Sequence, residues 1–537
     1  MPLRGFQYKG AWTPEFLFIL LQSPFYQHCL WNSLFIGVLT TAITLLIAFP
    51  LAWIFQRHTF TGKPFFYAIL LSPLIYPPFV SAAALKQLFA KYGTFNLIFE
   101  QWGWGSLENP IDYLGGASLV GVILVSVLHA IPLMLLALQS TIEKIDPTLL
   151  QASLNLGASR WTHLRRILLP LAFPGIFAGC TLVFIGAFTD LGAPIMFEVQ
   201  STIPTQIFNQ VTQSDQPLGY LLVTLTLIIV ITLFSLAQRF LPGTQTDFAS
   251  VKSTFNHPPQ KLSLKASFPF ILFLLGLSSF ILLPLIGTAI TSFSKIWFMT
   301  PFPSEWSTSY WKEAIQDPLI RSSFKNSLSY SLGACGLNLV MGLIIAFSLA
   351  RLRFPGKNLL RILSLIPMAL PGIVIAFAYW VSLSDAPHPA LKDFWKHWID
   401  PREAPLVLLI LSYAMHRITF VVQLLLAGYA HISVTWEQAA QNLGASSWKT
   451  FRRITLPLLS KSLSGGLLLV FAFSMLEVSS GMILAQESRF FPISKAIYSI
   501  LGRIPPDAPS LASSLGILCV SGVGLILWIA NRQMKRS

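Results

Sequence analysis

The chain has 537 residues, of which 54% are hydrophobic and only 11% are charged, and its mean hydropathy is +0.65. Soluble domains carry about 25% charged residues, so this composition excludes an ordinary soluble enzyme or binding module. The net charge of +15 alone would suit nucleic-acid binding, but the chain is dominated by segments of about 20 apolar residues, each long enough to cross a bilayer as a helix. The sequence therefore predicts an all-α integral membrane protein.

Taken in chain order, the apolar segments form two successive series. The first series contains five predicted spans and the second contains six, giving about 11 spans with 12 as the alternative. They lie near 32–54, 65–90, 116–140, 168–190 and 218–240, and then near 268–293, 326–350, 360–384, 405–429, 457–480 and 512–531. Residues 16–21 are too few to span a bilayer. The first half is therefore expected to lack the first helix of the repeat.

The two series read as homologous domains. Asn32-Ser33-Leu34 opens a span in the first series, and Asn326-Ser327-Leu328 opens the corresponding span in the second. Between the series, residues 241–267 are rich in Pro, Gly, Ser, Thr, Gln and Lys and lack an apolar run, which is typical of a linker. We predict transmembrane domains over 1–240 and 268–537, joined by a cytoplasmic linker over 241–267.

One 20-residue stretch occurs in both halves. Residues 151–170 and 438–457 share 13 identical positions, including a glycine and a closing Ile-x-Leu-Pro. Both stretches resemble the cytoplasmic coupling loop of bacterial ABC-importer permeases, whose pattern is E-A-A, three residues, Gly, nine residues and I-x-L-P. The chain departs from that pattern at Gln151 and Gln438, where the family has Glu, and Glu437 precedes the second copy.

The resemblance implies that each loop docks on one subunit of a cytoplasmic ABC ATPase, so two copies of that ATPase are the expected partners. It also implies a separate substrate-binding protein. This chain is expected to bind no cofactor, because ATP would be bound and hydrolysed by the partner. The residues expected to take part in coupling are Gln151, Ala152, Gly157, Arg165 and Pro170 in the first loop, and Glu437, Gln438, Ala439, Gly444, Arg452 and Pro457 in the second.

The distribution of charge supports this orientation. If both repeated loops face the cytoplasm, 21 of the 36 Lys and Arg residues lie on that side, together with only four of the 21 acidic residues. This asymmetry follows the positive-inside rule. We therefore predict a multi-pass protein of the inner membrane with a cytoplasmic C-terminus and an external N-terminus, and no nucleic-acid partner.

Five titratable residues lie within or at the ends of predicted spans, where such groups are costly and usually face a cavity. Asp190 and Glu477 occupy equivalent positions, as do His129 and His416, and Arg417 follows His416. They are candidates for lining the transport pathway. The carboxylates could equally cap a helix or form an interhelical salt bridge, for instance with Arg417. The histidines are expected to be interhelical hydrogen-bond donors, and the sequence predicts no metal site.

The chain has no Walker A motif and no clustered catalytic set, so a membrane-embedded enzyme is disfavoured. An ion-coupled secondary transporter can also contain two repeats, but it would not need the paired loops. The fused architecture and the stretches 189–194 and 476–484 resemble the iron(III)-type permeases, and less closely the thiamine permeases. We therefore expect the permease subunit of an ATP-driven ferric-iron importer, delivering substrate from a binding protein to the cytoplasm; thiamine, polyamine, sulfate and phosphonate are the alternative cargoes.

Overall fold

The fold is that of a computed structural model. It describes residues 7–8, 11–12, 15–104, 108–114, 118–143, 145–146, 152–153, 155–211, 217–240, 260–262, 264–297, 299–383, 392–503 and 508–536. Gln151 and most of the predicted linker, residues 241–259 and 263, lie outside this set. Within it, nine helices are long and apolar enough to cross a membrane, and two bent helix pairs raise the number to 11 if each pair is one span. The predicted all-α membrane architecture is confirmed.

Helices make up nearly all of the regular structure. The helices are α1 Glu15–Gln22, α2 Pro24–Arg57, α3 Lys63–Leu71, α4 Pro78–Phe89, α5 Thr94–Gln101, α6 Leu119–Ile142, α7 Arg160–His163, α8 Leu169–Phe188, α9 Gly192–Met196, α10 Ile203–Val211, α11 Pro217–Phe240, α12 Leu264–Ser292, α13 Ser309–Gln316, α14 Pro318–Arg351, α15 Lys357–Ala369, α16 Gly372–Leu383, α17 Lys392–Trp398, α18 Leu406–Ala430, α19 Val434–Asn442, α20 Ser447–Thr450, α21 Leu456–Met475, α22 Ser479–Leu484, α23 Ile493–Leu501 and α24 Ala508–Arg536. Three two-stranded ladders accompany them, formed by β1 Gln7–Tyr8 with β2 Ala11–Trp12, β3 His58–Thr59 with β4 Gln260–Lys261, and β5 Ser294–Ile296 with β6 Glu305–Trp306.

The chain divides into two compact units. Unit 1 comprises residues 1–243, 252–312 and 501–517, and unit 2 includes residues 313–500 and 518–537. Helix α12, which the sequence assigned to the second domain, packs against α3 and α4 of unit 1. The compact units are defined by packing, whereas the predicted domains are defined by the sequence repeat. The predicted domain boundary at residue 268 therefore stays a prediction.

Each unit is built on the same three-helix arrangement. Helices α2, α6 and α8 pack against one another in unit 1, and α14, α18 and α21 do so in unit 2. Small residues let these helices approach closely, as is usual where lipid supplies no hydrophobic drive between them. A Cβ atom on Gly37 would lie 2.8 Å from the Phe184 ring, and one on Gly342 would lie 2.6 Å from Val421. The helix crossings of both units therefore depend on small side chains.

Two segments predicted as straight spans are bent. Helix α3 with its 3₁₀ extension meets α4 and α5 at 101°, and α15 meets α16 at the same angle. Proline explains the breaks, because it lacks an N–H donor and disfavours helical conformation in the residue before it. Pro77 and Pro78 stand at the first break and Pro371 at the second. The predictions of continuous spans over 65–90 and 360–384 are thus corrected to broken spans or re-entrant segments.

The repeated Asn-Ser-Leu motif has a structural role that the sequence did not reveal. Ser33 Oγ accepts a 2.9 Å hydrogen bond from the backbone N–H of Ile203, the first residue of α10. In unit 2, Ser327 Oγ accepts a 2.8 Å bond from the N–H of Ile493, the first residue of α23. Each serine therefore satisfies one of the unpaired donors at a helix N-terminus and fixes a short helix to the long one.

Candidate functional site

The second candidate coupling loop, residues 434–457, is two short helices separated by a left-handed glycine. Ser433 caps α19 through its side chain, and Ser446 accepts a hydrogen bond from the Lys449 N–H at the start of α20. Gly444 has φ +85°, a conformation that residues with a Cβ atom adopt only at a cost. The glycine therefore ends α19 and lets the chain turn into α20.

The first candidate coupling loop, residues 151–170, repeats this geometry where it is described. Gly157 has φ +79°, and Ser159 Oγ accepts a 3.2 Å hydrogen bond from the Thr162 N–H at the start of α7. The Leu156 N–H donates to the Ala152 carbonyl at 3.0 Å, which completes a helical turn before the glycine. The described parts of both copies therefore consist of a helical turn, a left-handed glycine and a second short helix.

A π-helical turn joins each loop to its span. It covers Leu164–Leu168 in unit 1 and Phe451–Thr455 in unit 2, at equivalent positions. Pro170 and Pro457 lie two residues after the last residue of each turn. Because proline cannot donate to the carbonyl four residues earlier, the regular ladder is disrupted there. The helical rod nevertheless continues through the proline into α8 or α21. Such π-turns are frequent at functional sites.

Apolar side chains stand in solvent at the tips of both loops. Leu156 is 88% exposed and Leu443 is 89% exposed, while Trp161 and Trp448 are 66% and 68% exposed. Exposed apolar groups grouped in this way mark contact surfaces. Sequence reasoning did not include the two leucines, although their identity in both copies, directly before the glycine, was the available signal. The predicted coupling residues that are exposed beside them are Ala152, Gly157, Arg165, Pro170, Gln438, Ala439, Gly444, Arg452 and Pro457.

An arginine at the end of a long helix fastens each loop to its unit. Arg57 Nη2 donates to the Ile145 carbonyl at 2.6 Å, and Arg351 Nη2 donates to the Ile432 carbonyl at 3.0 Å. The donors and the acceptors are both equivalent between the repeats. In the sequence these arginines contributed only to the charge asymmetry that indicates the orientation in the membrane. No local pattern shows that the end of a long helix contacts the start of the loop.

The second loop has an additional fastening through Glu437. Its carboxylate accepts from Arg351 Nε at 2.8 Å and from Thr455 Oγ1 at 2.8 Å, and the arginine and glutamate side chains are each 14% exposed. Arg351 also lies over the ring of Tyr429. One carboxylate thus links α14, α19 and the π-turn. Charge-assisted hydrogen bonds of this kind are roughly twice as strong as neutral ones.

The first loop has Leu150 at the position of Glu437 and a different contact between its short helices. Ser153 Oγ and His163 Nδ1 form a 2.6 Å hydrogen bond between the two short helices of the loop. At the position equivalent to Thr455 stands the apolar Leu168, which is buried. The contact ties the loop to itself, whereas Glu437 ties the second loop to a membrane span.

The titratable residues of unit 2 form a buried cluster. Arg417 and Glu477, 6% and 7% exposed, are joined by an ion pair. Arg417 also donates to the Phe473 carbonyl at 2.7 Å, and Glu477 accepts from the Ser480 N–H at 3.2 Å. His416 lies beside them, since a Cβ atom on Gly372 would be within 3.2 Å of both its Nδ1 and Glu477 Oε1. The charges neutralise each other between helices α18 and α21.

The equivalent residues of unit 1 make separate contacts. Asp190 accepts from the N–H groups of Gly192 and Ala193 at 3.1 and 3.2 Å, which caps α9. His129 Nε2 forms a 2.9 Å hydrogen bond with Ser81 Oγ. These contacts are those of a helix cap and an interhelical bond, and a pathway role for the five residues stays a prediction.

Comparison with known proteins gives the family context. The sequence profile described as "Binding-protein-dependent transport system inner membrane component" matches residues 30–244 and 338–535. The two matches cover most of the chain, and each contains one of the repeated loops.

Several characterised permeases are similar to the chain. A ferric transport system permease protein of Actinobacillus pleuropneumoniae is 25% identical over 549 residues, covering 98% of this chain and 74% of that protein. A provisionally named ferric transport system permease protein of Haemophilus influenzae is 25% identical over 88% of this chain and 73% of its own length. The spermidine/putrescine permease protein PotB of Escherichia coli is 34% identical, but over only 31% of this chain and 59% of its own length.

Proposed function

Because this chain belongs to the family of inner-membrane components of binding-protein-dependent transport systems, we propose that it is a two-domain permease of an ATP-driven ferric-iron importer. The resemblance seen in the repeated loops is confirmed by the family match. The chain is a multi-pass permease subunit of an ABC transporter, and its family works with an ATPase and a binding protein.

The similarity over the full length of the chain carries the choice of cargo. The ferric permeases align with 88% and 98% of the chain, across both repeats. The polyamine permease aligns with 31% of it, which is less than one repeat. A fused two-repeat organisation is therefore shared with the ferric group, and ferric iron is the substrate that we assign. Putrescine is the second candidate, because its permease is more similar locally.

We further propose that each coupling loop docks on one of two ATPase subunits. The exposed Leu156 and Leu443 would enter apolar sites on the ATPase surface, and burying each would contribute about 1.5–3 kcal/mol. Arg57 and Arg351 would transmit movement of the loops to α2 and α14. In this arrangement the loops and the C-terminus are cytoplasmic, the N-terminus is external, and ATP is bound by the partner alone.

Uptake of labelled substrate tests the cargo. Cells lacking this chain and cells with the chain restored would be supplied with ⁵⁵Fe(III), and in parallel with labelled putrescine and thiamine. We expect the deletion to lower iron uptake at least tenfold and to leave the other two unchanged. Loss of putrescine or thiamine uptake with normal iron uptake would replace the cargo and leave the family assignment in place.

Substitution of both turn glycines tests the coupling loops. Gly157→Glu with Gly444→Glu should lower iron uptake at least tenfold while the ATPase still hydrolyses ATP, because both turns are strained and an acidic group enters the docking surface. No heavy atom lies within 4 Å of a Cβ atom at either position, so packing within the chain should survive.

The matched control is Gly157→Asn with Gly444→Asn, since asparagine tolerates the left-handed conformation. This variant should retain most of the uptake. Equal uptake by the glutamate and the wild-type proteins would overturn the proposed coupling role.

A further inference from the structure

Unit 2 contains an apolar groove beside the second candidate coupling loop. A cavity of about 830 Å³ lies between α14 and the continuous rod formed by α20, the π-turn and α21. Leu339, Phe347, Trp448 and Leu467 are among its lining residues, and the only polar side chains in its lining are serines, including Ser460 and Ser464. Both walls are predicted membrane spans, so the groove borders the hydrocarbon of the bilayer.

The corresponding surface of unit 1 carries larger side chains. Phe173 and Phe177 occupy the positions of Ser460 and Ser464, and their rings contact each other with centroids 5.8 Å apart. Trp53, at the position of Phe347, packs against the buried cluster at the start of α8. The cavity that Phe173 lines is about 550 Å³, and none of its lining residues comes from α2. The two serines therefore distinguish the groove of unit 2 from its repeat.

The dimensions of the groove suit an extended hydrocarbon chain. The distance from Phe451 to Leu467 along the rod is roughly 24 Å at about 1.5 Å per residue, so the cavity volume corresponds to a mean cross-section of about 35 Å². An α-helix about 10 Å across has a cross-section of about 80 Å². A lipid chain fits such a slot along its length, whereas a helix would enter it only in part.

Positive charge stands at one end of this slot. Lys449 follows the lining residue Trp448, and Arg452 and Arg453 follow the lining residue Phe451. All three basic side chains are exposed, and none forms an ion pair with any residue that the structure describes. Basic residues at the end of a span lie at the level of the lipid head groups and attract anionic lipids, by about 1 kcal/mol per charge.

We propose that this groove binds one anionic phospholipid, with an acyl chain between α14 and α21 and its phosphate beside Lys449, Arg452 and Arg453. The acyl chain lies where unit 1 carries the rings of Phe173 and Phe177. It supports the π-turn through which the second coupling loop enters its span. The site is independent of the transported substrate, so the cargo assignment and the lipid site are tested separately.

Native mass spectrometry of the purified, delipidated full-length chain tests the proposal. The protein would be incubated with phosphatidylglycerol or with phosphatidylcholine of identical acyl chains, and the bound lipids counted. The wild type should retain one phosphatidylglycerol molecule at least fivefold more often than one phosphatidylcholine. Ser460→Phe with Ser464→Phe, which copies unit 1, should lose that molecule.

Three further variants separate groove filling from general damage. Ser460→Ala with Ser464→Ala keeps the space open and should retain the lipid. Leu458→Phe places a larger ring on the exposed surface of α21 outside the groove lining and should also retain it. Lys449→Gln with Arg453→Gln leaves the groove open and should reduce the preference for phosphatidylglycerol to about that of phosphatidylcholine.

Several results would overturn the proposal. Retention of phosphatidylglycerol by the double phenylalanine variant at the wild-type level would show that lipid binds elsewhere. Equal retention of the two lipids by the wild type would exclude the anionic site. A small polypeptide that copurifies with the wild type in place of lipid, and is lost from the double phenylalanine variant, would show that the groove is a helix-docking site.

Discussion

The first and second coupling loops share a backbone and differ in how they are held. Both loops turn at a left-handed glycine and enter a span through a π-turn. In both, a backbone carbonyl before the loop accepts a hydrogen bond from an arginine at the end of the preceding long helix. The second loop alone has Glu437 paired with Arg351, and its unit alone has the buried Arg417–Glu477 pair. The repeats therefore share their backbone geometry, whereas the Arg351–Glu437 and Arg417–Glu477 pairs belong to the second half.

This difference suggests a division of labour. A loop tied to its span by a charge-assisted network moves with that span, because separating the partners would leave charges without compensation. In the first loop Leu150 stands at the position of Glu437, while Arg57 bonds backbone carbonyls and is attracted to Asp146. We expect that loop to separate from its span at a lower cost. We expect the second loop to transmit movement more rigidly than the first, and the variants below are ordered by the size of the expected effect.

The largest effect on stability is expected from Arg417→Met. It leaves Glu477 buried without its cation, which should destabilise the protein by about 3–5 kcal/mol in thermal unfolding of the purified chain. The repeat has Ala130 at this position, and Asp190→Asn in unit 1 weakens only a helix cap, at a cost of about 1 kcal/mol.

The double variant Arg417→Met with Glu477→Gln is the control, because it removes both charges. It should recover most of the lost stability. If Arg417→Met alone lowered the free energy of unfolding by less than about 1 kcal/mol, the Arg417–Glu477 pair would be solvated. The two halves would then not differ in the stability that their buried carboxylates provide.

An intermediate effect is expected at the loop fastenings. Arg351→Ala removes the bonds to Glu437 and to the Ile432 carbonyl, each worth about 1.5–3 kcal/mol when a charged group takes part. Amide exchange over residues 434–442, followed by hydrogen–deuterium mass spectrometry, should accelerate at least tenfold.

Arg57→Ala in unit 1 provides the comparison, and it should accelerate exchange over residues 152–158 by a smaller factor. Arg353→Ala removes an exposed arginine next to the same helix end and should leave both loops unchanged. Equal acceleration of the two loops by Arg351→Ala and Arg57→Ala would contradict the proposed difference in rigidity.

The smallest effect is expected where the two units agree. Ser33→Ala and Ser327→Ala each leave one N–H at the start of a short helix without its acceptor, at a cost of about 1 kcal/mol. Thermal unfolding should show the same shift for both variants. A shift confined to one of them would show that the short helices α10 and α23 are held differently.

Much of the architecture could be predicted because it depends on local physics. Apolar length determines which segments cross a bilayer, and the glycine of each loop is required by a left-handed turn. The repeated loops could be located from the sequence because Gly157 and Gly444 lie in stretches with 13 identical positions. Leu156 and Leu443 were missed because a leucine in a membrane protein is unremarkable until its exposure is known.

The sequence by itself determined the class, the apolar segments, the duplication and the position of the repeated loops, because each follows from composition and spacing along the chain. Only the tertiary structure decided that Arg57 and Arg351 meet the loops, that Glu477 is neutralised by Arg417, and that two predicted spans bend. The groove beside Ser460 and Ser464 likewise exists only between packed helices. Contacts between residues distant in sequence depend on how helices cross, which spacing along one chain does not specify.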